Sequence, residues 1–185
     1  MFLLKKAPAP NDVGSVPATC AQAFREHGQD VARWARHLGG ADLDVEDVVQ
    51  EVFMVVDKRL AGFRPEARFT SWLFEITRKT VANHRRRHKR RFWQSDDVLN
   101  KLPASVGDPL AEIERAQSVE RFYTALDRLP EKYRTMIVLY ELEGLSAQEI
   151  AELRDLKIGT LRVHLSRARE QLVAQYQRLL KREEP

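Results

Sequence analysis

Residues 44 to 60 read DVEDVVQEVFMVVDKRL, and whether this stretch is strand or helix decides the fold class. Its valine content alone favours strand. Its spacing favours helix, because Val45, Val48, Val49, Val52, Phe53, Val56 and Leu60 follow the i, i+3, i+4 pattern of one helix face. The opposite side carries Glu46, Asp47, Gln50, Glu51 and Asp57. The stretch is therefore expected to be an amphipathic helix with an acidic outer face.

The same periodicity extends in both directions. Upstream, TCAQAFREHGQDVARWARHLGG is helical in pattern and closes on Gly39 and Gly40. Downstream, GFRPEARFT reads as a turn with Pro65, and Thr70 is the expected N-cap of a helix beginning SWLFEI. The pattern is lost in WQSDDVLNKLPASVGDP, from Trp93 to about Asp108, and resumes at LAEIERAQSVERFYTALDRLP. Residues 1–18 contain three prolines and little periodicity. With no repeat and no convincing strand, the expected fold is all-α. It divides into a mobile arm (1–18), a first small helical domain (19–92), a flexible acidic linker (93–116) and a second helical domain (117–185).

Charge is segregated along this frame. The formal net charge is only +4, yet 31 Lys and Arg and 27 Asp and Glu sit in separate blocks, which predicts a polyanion partner for one surface and something different for another. The basic block is TRKTVANHRRRHKRR, residues 77–91, with eight Lys or Arg and no carboxylate. Phe69, Trp72, Leu73 and Ile76 form an apolar stripe whose line continues through Thr80, Asn83, His84 and Arg87. A helix that turns polar on its core-facing line is expected to have run beyond its core, and its projecting positive part suits a phosphate backbone. Asn offers bonds to base edges; Arg, Phe92 and Trp93 offer stacking surfaces. The plain alternative is a solvated helix end whose cations complement the macrodipole.

The C-terminal third, LPEKYRTMIVLYELEGLSAQEIAELRDLKIGTLRVHLSRAREQL, reads as three helices. The first spans Glu131 to Leu142 and is broken by Gly144; Ser146 and Glu149 make a capping box for the second. Ile150 and Leu153 face inward, a turn falls at Asp155 to Lys157, and the third helix starts near Thr160. Leu161, Leu165, Ala168 and Leu172 line its packing side, opposite Val163, Ser166, Arg167 and Glu170, with Arg162 and Arg169 on one flank. This is the pattern of a helix-turn-helix, whose second helix enters the major groove and in which Arg reads guanine by a bidentate contact. A generic amphipathic hairpin is the alternative.

Other chemistries find little support. Asp42, Asp44, Glu46, Asp47 and Glu51 resemble a calcium loop only partly, since glycine is absent from its sixth position and Phe53 stands where the closing Glu belongs. His27, His37, His84, His88 and Cys20 lack ligand spacing, and no nucleophile, base or phosphate-binding loop is evident. No catalytic residue, metal, cofactor or small-molecule substrate is expected. Asp47, Gln50, Glu51 and Met54 share an exposed face suited instead to docking a protein. Cys20 is the single cysteine, which suits a reducing cytoplasm. MFLLKK is too short for a signal sequence, and no stretch approaches the ~18 apolar residues of a membrane span, so a soluble cytoplasmic protein without membrane insertion is expected.

Taken together, DVEDVVQEVFMVV, FRPEARFTSWLFEITRKTVANHRRR, LPEKYRTMIVLYELEGLSAQEIA and IGTLRVHLSRAREQL resemble the extracytoplasmic-function class of bacterial sigma factors, the initiation subunits of RNA polymerase, over roughly residues 20–180. The resemblance implies that Asp47, Gln50 and Glu51, with Met54 beside them, bind the clamp helices of the polymerase. It implies that Asn83 lies near the reader of a flipped minus-ten base, with Arg78, Lys79, Arg85, Arg86 and Arg87 around the opened strand. Thr160, Arg162, Val163, Ser166, Arg167 and Arg169 would lie on the helix that reads the minus-thirty-five duplex. The linker would thread toward the RNA exit path, and an anti-sigma protein is the expected regulator. Lys79 departs from the Asn common in relatives, and Arg154, Asp155 and Lys157 from the Leu, Gly and Pro of their turn; Asp tolerates the left-handed conformation a turn needs. A free-standing helix-turn-helix regulator and a metal-dependent nuclease are the competing readings.

Overall fold

The Val-rich stretch is helical. In the computed structural model, which describes residues 16–40, 43–64, 68–91 and 109–183, it forms α2 (Val45–Arg59) between α1 (Cys20–Gly39) and α3 (Phe69–Arg91). Asp44 starts α2 by accepting hydrogen bonds from the amides of Glu46 (3.0 Å) and Asp47 (3.1 Å), and Val48, Val52, Phe53 and Val56 are buried. Burial of branched side chains on one helical stripe outweighs their strand propensity. Thr19 caps α1 through the amide of Gln22, and Gly40, at φ 86°, ends it.

Two expectations for α3 are corrected. Thr70 is not its N-cap: the helix already includes Phe69, and the amide of Trp72 donates to the carbonyl of Arg68. Packing sets the start, because Phe63, Phe69 and Trp72 form an aromatic cluster with ring centroids 5.1–5.6 Å apart. Nor does the helix leave the core at Thr80, which is buried with Thr77, Val81 and Ala82. Thr77 satisfies its hydroxyl on the carbonyl of Leu73 at 2.9 Å.

The second set of helices is α4 (Pro109–Asp127), α5 (Glu131–Ile137), α6 (Ala147–Leu153) and α7 (Ile158–Glu183). Since α4 begins at Pro109, residues 109–116, grouped by sequence with the linker, are helical; residues 93–108 and the arm up to residue 15 lie outside the described residues. Arg134 is buried where α4 ends, and its guanidinium donates to the carbonyls of Leu126, Asp127 and Leu129. Burial, and then the neighbouring Arg85 charge, push its pKa down to about 10, so it remains a cation at neutral pH.

The helix expected over Glu131 to Leu142 changes winding after Ile137. Residues Val138–Leu142 form a wider π turn, with the amide of Glu143 donating to the carbonyl of Val138 at 2.9 Å. The wider turn and Gly144, at φ 67°, direct the side chain of Glu143 into the protein, where the residue is 3% exposed. Beyond it the capping box of Ser146 and Glu149 is present. Asp155 takes the left-handed conformation at φ 49°, and α7 starts two residues before Thr160, with Leu161, Leu165 and Ala168 buried. Buried side chains of both helix sets form one continuous core cluster.

Candidate nucleic-acid and protein interfaces

The acidic face of α2 presents Asp47, Gln50 and Met54 to solvent, with Met54 60% exposed. Glu51 is different. It is half-buried and accepts a hydrogen bond from Nε2 of His84 on α3 at 2.6 Å, with Arg87 Nη1 3.6 Å away. It therefore ties α2 to α3 as well as edging the face. Phe24 of α1 was not singled out by sequence, yet it is 52% exposed, its ring 5.0 Å from that of Phe53 and lying over Gly28. A large exposed aromatic at the end of an apolar face is the signal that marks it.

On α3 the basic block separates into two groups. Lys79, Asn83, Arg86 and Arg87 are exposed and available to a polyanion. Arg78 and Arg85, expected beside them at the minus-ten strand, are half-buried and paired within the chain. Arg78 pairs with Glu75 of its own helix at 3.0 Å and with Glu131 of α5. Arg85 pairs with Asp127 at 2.7 Å and donates to the carbonyls of Gly39 and Asp127. The side chains of residues 88–91, and Phe92 and Trp93, lie outside the described residues.

On α7, Thr160, Arg162, Val163, Ser166, Arg167 and Arg169 are all exposed. Together with Tyr140 and Glu170 several of them line an open cleft of about 490 Å³. Arg169 is held in place, bonded to Glu141 at 2.7 Å with its guanidinium 5.0 Å from the centre of the Tyr140 ring. Ser166 donates to Glu170 at 3.1 Å. Among the described residues Arg162 and Arg167 form no ion pair, so their donors remain available to a ligand.

Sequence reasoning missed the acids and bases that join the two helix sets: Glu143 to Arg33 (3.1 Å) and His37 (3.0 Å), and Glu75 to Arg154. Their partners are 79 to 110 residues apart, beyond the reach of any helical period.

Among the described residues no helix is long and apolar enough to cross a membrane. Residues 23–91 match the family model of Sigma-70 region 2, and residues 119–172 that of Sigma-70, region 4. The chain is 35% identical over 147 residues to the ECF RNA polymerase sigma-E factor of Escherichia coli (strain K12), covering 75% of this chain and 77% of that one. It is 32% identical over 165 residues to the ECF RNA polymerase sigma factor SigE of Mycolicibacterium smegmatis, covering 89% of this chain and spanning 63% of the length of that relative. Among solved structures it resembles CnrH in complex with the cytosolic domain of CnrY, with a TM-score of 0.57, 27% identity and 89% of each chain covered. The fold is also that of the sigma factor RpoE from Bartonella quintana, solved in complex with the anti-sigma factor NepR, with a TM-score of 0.60, 24% identity and coverage of 85% of this chain and 96% of that one. With regions 2 and 4 in order and a relative matched over three-quarters of both chains, the protein belongs to the ECF class of sigma-70 family RNA polymerase sigma factors.

Proposed function

We propose that the chain directs core RNA polymerase to specific promoters through three surfaces. The exposed Asp47, Gln50 and Met54 of α2, with Glu51 at their edge, bind the polymerase. The exposed Asn83, Lys79, Arg86 and Arg87 of α3 hold the melted minus-ten strand, Asn83 offering amide bonds to a base and the cations neutralising phosphate. Arg162, Val163, Ser166 and Arg167 of α7, flanked by Thr160 and Arg169, read the minus-thirty-five duplex in its major groove. The α6–turn–α7 segment acts as a helix-turn-helix, and residues 93–108 connect the two DNA contacts.

The observation that carries this reading is the distribution of exposed side chains: one acidic face, one basic face and one Arg-bearing face on three separate helices. The chain acts by binding, with no catalysis of its own, and the regulator we expect is an anti-sigma protein that covers these faces. Neither DNA contact needs high affinity alone, because attachment to the polymerase supplies effective concentration.

The test mixes the purified protein with sigma-free core polymerase and genomic promoter fragments, then sequences transcript starts. Discrete starts sharing a two-part upstream motif are expected. DNA binding by the protein alone with no capture of core would overturn the proposal in favour of a free-standing regulator.

A further inference from the structure

Arg169 differs from Arg162 and Arg167 in being held. Its Nε donates to Glu141 at 2.8 Å, its Nη2 lies 2.7 Å from the same carboxylate oxygen, and its guanidinium stands 5.0 Å from the centre of the Tyr140 ring. Both partners belong to the π turn Val138–Leu142. A wider turn holds more residues, so consecutive side chains diverge by a smaller angle, and Tyr140 and Glu141 meet the same guanidinium. Glu141 takes the side edge of the fork, which leaves the open end, Nη1 and the second hydrogen of Nη2, for another acceptor. The side chain is half exposed, at the rim of the cleft that also holds Arg162 and Ser166.

We infer that Tyr140 and Glu141 are positioning residues that fix Arg169 as a clamp on a phosphate of duplex DNA, leaving Arg162 and Arg167 to the bases.

The inference deepens the proposed minus-thirty-five contact and rests on it. A helix with its side chains is about 10–12 Å across, and the major groove is about 12 Å wide. A groove that admits α7 has no room for the π turn beside it. A guanidinium pinned to that turn therefore stands at the groove edge, where the sugar-phosphate backbone runs. Arg167 points elsewhere: two residues at about 100° each place it roughly 160° around the helix from Arg169. Arg162 shares the line of Arg169 but carries no such tether, and among the described residues it forms no ion pair. The open end of a guanidinium fork meets phosphate through two parallel bonds. Phosphate is the same beside every base pair, so gripping it calls for a fixed cation rather than an adaptable one. Tyr140 and Glu141 remove the rotamer freedom of Arg169 before the duplex arrives, and the fixed contact sets the register in which the other arginines read.

The test uses the full chain and a fluorescent duplex of mixed sequence, titrated between about 50 and 200 mM salt. Arg169→Ala is expected to weaken binding equally on duplexes of different sequence and to lower the salt slope by about one contact, so that its deficit shrinks roughly threefold across that range. Should that variant fail to fold, Arg169→Gln removes the charge with less loss of packing, and the same change in slope is expected. Tyr140→Leu keeps the cation but unseats it and should weaken binding about two- to fivefold, whereas Tyr140→Phe keeps the ring face and should match the wild type. An unchanged slope once the charge is removed would overturn the clamp, as would a loss confined to one sequence or no wild-type binding at the low-salt end. Equal losses for Tyr140→Leu and Tyr140→Phe, or none for either, would overturn the positioning role. Weakened capture of core polymerase with duplex affinity unchanged would overturn the clamp in favour of a protein contact. The salt slope on a mixed-sequence duplex needs no polymerase, whereas start-site sequencing does, so the failure of either reading is visible without the other.

Discussion

Gly40 is the most exacting position at the boundary between the two helix sets. Its backbone, at φ 86° and ψ −177°, lies in a region essentially reserved for glycine, where any other residue costs about 1–3 kcal/mol. A Cβ there would also run into the carboxylate of Asp127. Gly40→Ala therefore forces Asp127 away from Arg85, whose ion pair at 2.7 Å is roughly two-thirds or more shielded on both sides. Loss of that part-buried charged contact adds ~1 kcal/mol, between the values for exposed pairs and for bonds to buried charges. A total near 3 kcal/mol corresponds to a fall in melting temperature of ~6–12 °C for a chain of this size. Urea denaturation followed by tryptophan fluorescence suits the measurement, since Trp34 is buried on the same helix. The cycle with Asp127→Ala separates the two parts: without the carboxylate, Gly40→Ala should lose only its backbone cost, leaving a coupling of ~1 kcal/mol. A Gly40→Ala protein within ~0.5 kcal/mol of wild type, the spread of neutral surface changes, would refute the backbone argument. Additive effects in the cycle would refute the contact.

Arg167→Ala is expected to cost ~1–3 kcal/mol at the bases it reads, measured as lost discrimination between promoter variants; unchanged selectivity would remove Arg167 from the reading helix. Asp47→Lys reverses an exposed charge on α2 and should weaken capture of core polymerase in a pull-down while leaving the melting curve in place, and retained capture would count against that face. Ser146→Ala breaks the capping box of α6 and should lower stability by ~0.5–2 kcal/mol, read from denaturant midpoints. Burial pushes the Glu75 carboxyl up, but the hydrogen bond from Arg78 and the charges of Arg154 and Arg78 outweigh it and hold the group below its ordinary value of 4.5. Its contribution is therefore complete above pH 4.5 and lost as pH falls through the lower folded-state value; Glu75→Gln should flatten that acid-side loss in a series of thermal melts.

Most of the secondary structure was legible because it depends on local and periodic chemistry. The residue spacing of α2 overrode its composition, the capping box at Ser146 and Glu149 formed as written, and Asp155 took the conformation its short polar side chain permits. What escaped depends on distant contacts. Thr70 looked like a cap by type, but the position of Phe69 in an aromatic cluster with Phe63 and Trp72 decides where α3 begins. The π turn at Val138–Leu142 turns Glu143 toward Arg33 and His37, and a register change that serves two residues of α1 leaves no mark in the helix that undergoes it.

The basic block shows most clearly how a count of charges misleads where a wheel does not. Arg78, Val81, Ala82 and Arg85 stand at i, i+3, i+4 and i+7, which is one helix face. Two small apolar residues between two arginines describe a surface that packs, because a solvated cationic stripe has no use for Val and Ala at its centre. Both are buried, and the arginines on either side reach past them to Glu131 and Asp127. Lys79, Asn83, Arg86 and Arg87 fall on the neighbouring faces and remain exposed. The apolar residues interleaved with the cations therefore tell which arginines meet carboxylates within the folded chain and which are left for an external polyanion. For this chain that division gives Arg78 and Arg85 their partners inside the protein, Glu131 at the start of α5 and Asp127 at the end of α4.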